Sequence, residues 1–275
     1  MRMNRLKGRV LMSCLGICLM GLGMGAASAQ DAGPALRFGT ALGYPPFEYI
    51  GSDGKMTGFE IDLGNAICVA LKRECQWQNV EFSGMVPALK ARKFDAFIAS
   101  VAVTEDRMRQ VAFSDKVYSS GTRLLARKGS NLVADDAMPS GKGLAGKRIG
   151  VEQGTINEKF AKQRWAPEGV EVLSYTDQDM VFNDLMNGRL DAAIVAGVQA
   201  QIGFLSSEKG ADYAFTGQPI SDPMIGSSYS AIAVNKGSEQ LLGDLNRAIA
   251  QLRADGTYQR IAGKYFPPTL DIYSE

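Results

Sequence analysis

Apolar residues along this chain fall into short buried runs and helical stripes, and one particular succession of them occurs twice. Leu36-Arg37-Phe38-Gly39-Thr40 is a short strand-like run. Further on, Leu89-Lys90-Ala91-Arg92-Lys93-Phe94-Asp95-Ala96-Phe97-Ile98-Ala99-Ser100 leads a helix end into a second one. The other copy reads Lys147-Arg148-Ile149-Gly150-Val151, then Leu185-Met186-Asn187-Gly188-Arg189-Leu190-Asp191-Ala192-Ala193-Ile194-Val195-Ala196. Strands that are apolar at successive positions and alternate with helices predict parallel pairing, buried on both faces. The chain therefore spells one α/β lobe twice, and a cleft between two lobes is suited to a small molecule.

The remaining pattern fills in the elements. Phe59, Leu63, Ile67 and Leu71 recur every four residues, a helical stripe. Residues 80–82 predict a strand end, Ser83 a cap for a helix carrying Met85, Ala88 and Leu89, and Thr104 a cap for the next helix. Residues 118–127 read as extended, and 131–146, rich in Gly, Asp, Ser and Pro, as a surface loop with a short helix. Strands at 148–151, 170–175 and 191–195 alternate with a helix opening near Thr155 and another at 178–186. A strand at 228–234 is expected to return to the first lobe. An amphipathic helix at 239–254 and a last helix ending before Pro267 follow. The expected division is a first lobe from 30–118 and again 225–275, with a second lobe at 119–224. The hinges are expected near 119–122 and 222–226.

The first 29 residues change the compartment. Arg2, Arg5, Lys7 and Arg9 precede an apolar, Gly-rich run at 10–24, and Ala27-Ser28-Ala29 offers small residues for cleavage. This is the pattern of a secretory signal peptide, with an apolar core too short for a spanning helix. It predicts export to the periplasm. Taking four basic residues from 30 leaves 26 against 29 acidic ones, a formal charge of −3 for the mature chain. No basic stripe remains, so nucleic acid and anionic membrane are poor partners. Of four cysteines, Cys68 and Cys75 lie in the mature part. In an exported chain such a pair reads as a disulfide, and it would contribute roughly 2–3 kcal/mol in the chain-entropy model. The chain has no histidine, which excludes Ser-His and Cys-His nucleophile chemistry and argues against a metal site.

Candidate chemistry follows from the strand ends, since ligands of open α/β sheets sit beyond the carboxyl ends of the strands. Those ends bring forward residues 40–44, 99–107, 152–155 and 195–197. With Thr104 as cap, Arg107 lies in the first turn of its helix, where the dipole disfavours a cation. A ligand carboxylate would reverse that penalty and accept a paired hydrogen bond; neutralisation by Glu105 or Asp106 is the alternative. Gly154 and Thr155 offer N–H groups at a helix start as a second anion grip. Tyr44 and Phe82 are suited to flanking a ligand side chain.

These residues carry a resemblance. Tyr44-Pro45-Pro46-Phe47, Gly58-Phe59-Glu60-Ile61-Asp62-Leu63, Cys68 with Cys75, Pro87-Ala88-Leu89, Thr104-Glu105-Asp106-Arg107, Phe113-Ser114-Asp115, Gly154-Thr155 and Arg253-Ala254-Asp255-Gly256-Thr257-Tyr258 occur in order. Over residues 36–270 the chain resembles the family 3 polar amino-acid solute-binding proteins of bacterial ABC importers, the lysine/arginine/ornithine- and histidine-binding proteins among them. The resemblance implies a two-lobed periplasmic binding protein type II fold, α/β in class, closing like a hinged trap. It implies an amino-acid or amino-acid-derived ligand, a permease partner in the inner membrane, a monomer, and no cofactor or metal. The positions matching Tyr44 and Phe82 flank the ligand side chain. That of Arg107 holds the α-carboxylate, helped by the backbone at Ser100 and Thr155.

The departures bear on the ligand. The family acid that holds the α-ammonium falls at Ala196, and the acid that holds a basic side chain falls at Ala41. Serines near the carboxylate fall at Ala99 and Ala102. A buried cation without a partner is costly. Either Glu152, with Glu48 more distant, replaces the missing acid, or the ligand lacks a free primary α-ammonium, as in an opine or another N-substituted amino acid. Simple lysine, arginine or histidine binding is not the expectation. A dehydratase of prephenate-like substrates on the same fold is the rival reading, with Glu152 or Glu48 as its acid.

Overall fold

Each copy of the repeat becomes the centre of its own five-stranded sheet. The computed structural model describes residues 33–132, 140–225 and 229–273; the expected leader, and Gly226 of the second hinge, lie outside them. The strands are β1 (Gly33–Thr40), β2 (Tyr49–Ile50), β3 (Met56–Thr57), β4 (Arg73–Asn79), β5 (Ala96–Phe97), β6 (Val111–Ser119), β7 (Thr122–Arg127), β8 (Arg148–Glu152), β9 (Glu171–Tyr175), β10 (Ala192–Ala196), β11 (Tyr213–Ile220) and β12 (Tyr229–Asn235). The first sheet runs β4-β1-β5-β12-β6 and the second β11-β7-β10-β8-β9. In each, three parallel strands (β4, β1, β5 or β9, β8, β10) are extended by two more, one antiparallel to the set (β12 or β7) and one antiparallel to that strand in turn (β6 or β11). The chain leaves the first sheet at Ser119 and enters the second at Thr122, so Ser120 and Gly121 form the crossing. It returns between Ile220 and Tyr229.

The repeat has a physical reason. Asp95 accepts the backbone N–H of Arg37 at 3.0 Å and its guanidinium at 3.2 and 2.7 Å. Asp191 accepts the same three donors of Arg148 at 2.8, 3.2 and 3.1 Å. Each Asp thus pins the start of one strand, β5 or β10, to its neighbour, β1 or β8. Gly39 and Gly150 complete the fit, because a methyl there would meet Phe94 at 2.6 Å and Leu190 at 2.4 Å.

Helices cover both sheets. They are α1 (Phe59–Ala70), α2 (Met85–Lys90), α3 (Glu105–Met108), α4 (Ile156–Phe160), α5 (Gln178–Met186), α6 (Gly197–Gln199), α7 (Glu239–Ala254) and α8 (Thr257–Ala262). In the first lobe Phe59, Leu63 and Ile67 of α1 pack with Leu245, Ile249 and Leu252 of α7 on Phe38 of β1. In the second lobe Phe160 and Trp165 pack on Ile149, Val151 and Ile194. The Cys68–Cys75 disulfide forms and joins the end of α1 to β4.

Two local expectations are corrected. Residues 80–82 are not a strand end. Strand β4 stops at Asn79 because its partner β1 stops at Thr40, and Phe82 sits in a short 3-10 turn, Phe82–Gly84. Ser83 therefore does not cap α2, which follows Gly84 without a side-chain cap.

Candidate binding site

The carboxyl ends of β1, β5, β8 and β10 face a cleft of ≈ 660 Å³, open solvent at its mouth included. Of the expected residues, Tyr44, Phe82, Ala99, Ser100, Arg107, Glu152, Thr155 and Ala196 all line it, and Gly154 does not. Ala41 and Ala102 lie on the same wall. Sequence reasoning missed Tyr118, Ser120, Thr122, Asn157 and Tyr229 as lining residues. Nothing local marks them, since three of them flank the strand crossing and enter the cleft only because both sheets meet there.

Arg107 is held by its own helix start. Thr104 caps α3, its hydroxyl oxygen accepting the Arg107 N–H at 3.2 Å. The guanidinium donates to the Ala102 carbonyl at 2.8 Å and across the cleft to the Gly154 carbonyl at 3.1 Å. It also lies 5.2 Å from the Phe82 ring centre, a cation–π distance. Burial lowers its pKa to about 10, with Glu152 opposing that shift. An arginine so desolvated and so placed is ready for a carboxylate.

Glu152, 8 % exposed at the end of β8, is pushed up to about 8 by burial, with Asp177 adding to the shift and Arg107 opposing it. The turn that follows differs from its expected role. Thr155 caps α4 by accepting the Glu158 N–H at 3.1 Å, and Glu158 reaches back to accept the Gly154 N–H at 2.7 Å. The Gly154 N–H is therefore committed within the protein and is not a free anion grip. The signal was present in the sequence, since Thr155 and Glu158 spell the T-x-x-E of a capping box.

Ser100 differs in the same way. It adopts φ +55, a left-handed conformation unusual for a residue with a side chain. Its N–H donates to Glu60 at 2.7 Å rather than standing free for a ligand. Its hydroxyl lies 3.4 Å from Glu48 and 3.5 Å from Glu60. Both glutamates are 1 % exposed, and only Glu48 lines the cleft. Burial raises Glu60 to about 7; it raises Glu48 as well, with Glu60 and Glu152 adding repulsion.

The lobes also touch outside the cleft. Lys159 pairs with Asp106 across the mouth, and Gln199 donates to the Pro45 carbonyl at 3.2 Å. Gly203 comes so close that a methyl there would lie 2.1 Å from the same carbonyl oxygen.

Comparison with known proteins agrees with this architecture. The model of the bacterial extracellular solute-binding proteins, family 3, matches residues 36–268. The lysine/arginine/ornithine-binding periplasmic protein of Escherichia coli K12 is 39% identical over 257 residues, 94% of this chain and 96% of the relative. The histidine-binding periplasmic protein of the same strain is 40% identical over 238 residues, 86% and 89%. A solved ancestral arginine-binding protein bound to arginine superposes with TM-score 0.75 at 33% identity, over 85% of this chain and 98% of that one. The chain belongs to the family 3 solute-binding proteins. It is a periplasmic binding protein with the two-lobed type II fold, not an enzyme, and the dehydratase alternative falls.

Proposed function

We propose that this family 3 solute-binding protein captures an amino acid or amino-acid derivative between its lobes and delivers it, as a monomer, to an ABC importer permease in the inner membrane. The observation that carries the reading is Arg107, desolvated at the cleft wall beside Phe82 and facing Glu152. The ligand carboxylate pairs with Arg107, and its carbon skeleton lies between Tyr44 and Phe82. The second lobe, turning near residues 119–122 and from Asp222 on, adds Glu152 and Thr155. Contact with both lobes is what favours the closed form. Relatives named for lysine, arginine, ornithine and histidine support an amino-acid skeleton.

The nitrogen end is where this chain departs. Ala196 and Ala41 offer no charge, and Glu152 is the acid available to an α-nitrogen. The small Ala196 also leaves room for a substituent on that nitrogen, which favours an opine-like or other N-substituted ligand as the second reading. A thermal-shift screen of the mature protein tests both. It would cover the twenty amino acids, opines, and N-substituted or deaminated analogues. A tight binder raises the melting temperature by mass action. Stabilisation by free amino acids assigns Glu152 to the ammonium; stabilisation only by N-substituted or amine-free compounds assigns the substrate to the space at Ala196. No shift from any carboxylate would overturn the proposal.

A further inference from the structure

Among the described residues lining the cleft, Glu48 carries a buried carboxyl oxygen, Oε2, without a hydrogen-bond donor. Behind it stands Glu60, equally buried. Together they present four carboxyl oxygens to one N–H and one O–H from Ser100, besides the hydrogen bond between the two carboxyls. The single hydroxyl hydrogen of Ser100 cannot serve both acids. Asp95 and Asp191, each with three N–H donors, show what satisfied carboxylates look like in this fold.

The surroundings supply no compensating charge. The groups acting on the pair are Glu152 from the second lobe and the phenols of Tyr44, Tyr118 and Tyr258, with Ser100 as the donor. Arg107 is in reach of Glu152, which in turn is in reach of Glu48. The cleft thus has a cationic pole at Arg107, an acid within reach of both ends, and a donor-starved acidic pole at Glu48. Ala41 and Ala99 line the same wall as Glu48, and their short side chains place no charged group beside its buried carboxyl. Two facing buried carboxyls share a proton while the site is empty, because both cannot ionise. A cation with several N–H donors would displace that proton and satisfy the open oxygens.

We propose that the Glu48–Glu60 pair is a second docking pole, which takes a cationic group, ammonium or guanidinium, on the ligand. This rests on the carboxylate–Arg107 reading and narrows it: the ligand is an amino-acid derivative with a positive group beyond its α-nitrogen. Glu48 contacts that group, and Glu60 acts through Glu48 as a positioning residue.

The test is titration calorimetry of the mature protein with arginine and with citrulline, its uncharged isostere. Each is used free and as its N2-(1-carboxyethyl) derivative, so that the state of the α-nitrogen does not decide the outcome. The expected result is at least tenfold tighter binding of the arginine member of a pair. Repeating the titration at pH 7.5 in phosphate and in Tris should show about one more proton released by the arginine member. Any proton from Glu152 is common to both members and cancels. Glu48→Gln, which keeps the shape of the protonated acid, should bring the arginine-to-citrulline ratio close to one. Should that variant not fold, the wild-type proton count decides. Equal affinities, an unchanged ratio in Glu48→Gln, or no extra proton would overturn the second pole and show the pair to be a structural tie, while leaving Arg107 as the carboxylate site. Absence of binding by every member would overturn the second pole, while the carboxylate reading stands or falls on the thermal-shift screen.

Discussion

In the first lobe Arg37 and Asp95 tie β1 to β5; in the second, Arg148 and Asp191 tie β8 to β10 with the same three hydrogen bonds. At the opposite ends of those strands the correspondence is lost. The first lobe ends in Ser100, with two glutamates behind it, and in Arg107. The second ends in Glu152, a self-satisfied turn at Gly154 and Thr155, and an uncharged Ala196. One end of each sheet answers to folding, and the duplicated ties keep the strands in register. The other end lines the cleft, and there the two lobes differ. Of the charged residues lining the cleft, Glu48 and Arg107 belong to the first lobe and Glu152 to the second.

The largest expected effect probes that asymmetry directly. Arg107→Ala should weaken binding of a carboxylate ligand by roughly 2–5 kcal/mol, whereas Thr155→Ala should cost affinity far less, having lost mainly a helix cap. Titration calorimetry on both variants checks this, and equal losses would make the lobes equal partners in recognition. A smaller loss is expected where the lobes meet. Gly203→Ala should weaken binding by about 1–3 kcal/mol, because the added methyl collides with Pro45 of the other lobe only when they close. Its ligand-free melting temperature should not fall, as alanine is the better helix former. An unchanged Kd would remove that seam from the bound form.

The conserved half of the comparison is tested by Asp95→Asn and Asp191→Asn. Both carboxylates are about a third exposed, which reduces the cost to about 1–2 kcal/mol each. The two losses should match in chemical denaturation; a difference above about 1 kcal/mol would show that the ties are alike in geometry and unlike in energy. The smallest effect is a slope with pH. Glu152 and Glu60 titrate higher folded than unfolded, near 8 and 7 against 4.5. The folded state therefore binds more protons between about pH 4.5 and 8, and ligand-free stability should fall as pH rises through that window. Glu152→Gln should flatten the upper part of the slope. A stability that rises from pH 5 to 8 would contradict the burial of these acids.

Much of this was legible in the chain. The twice-written strand and helix pattern gave the two sheets, and helices 178–186 and 239–254 were found at their observed limits. That Arg107 and Tyr44 line the cleft follows from strand ends and from resemblance. The roles of Ser100 and Gly154 do not, because each N–H goes to a glutamate of the protein itself. Glu158 was readable as a capping partner four residues from Gly154. Glu60 was not, since forty residues separate it from Ser100.

The sequence by itself determined the compartment signals, the duplicated α/β lobe, the disulfide pair and the absence of acids at Ala41 and Ala196. These depend on local pattern, on residue type, or on spacing along the chain. Only the tertiary structure decided that Glu48 and Glu60 stand together behind Ser100, that the Gly154 N–H is closed off, and that Arg107 reaches a carbonyl of the other lobe. The physical reason is that hydrogen-bond satisfaction and desolvation are properties of neighbours in space. A carboxylate well paired on the surface and one starved of donors in a cleft are spelled by the same letter.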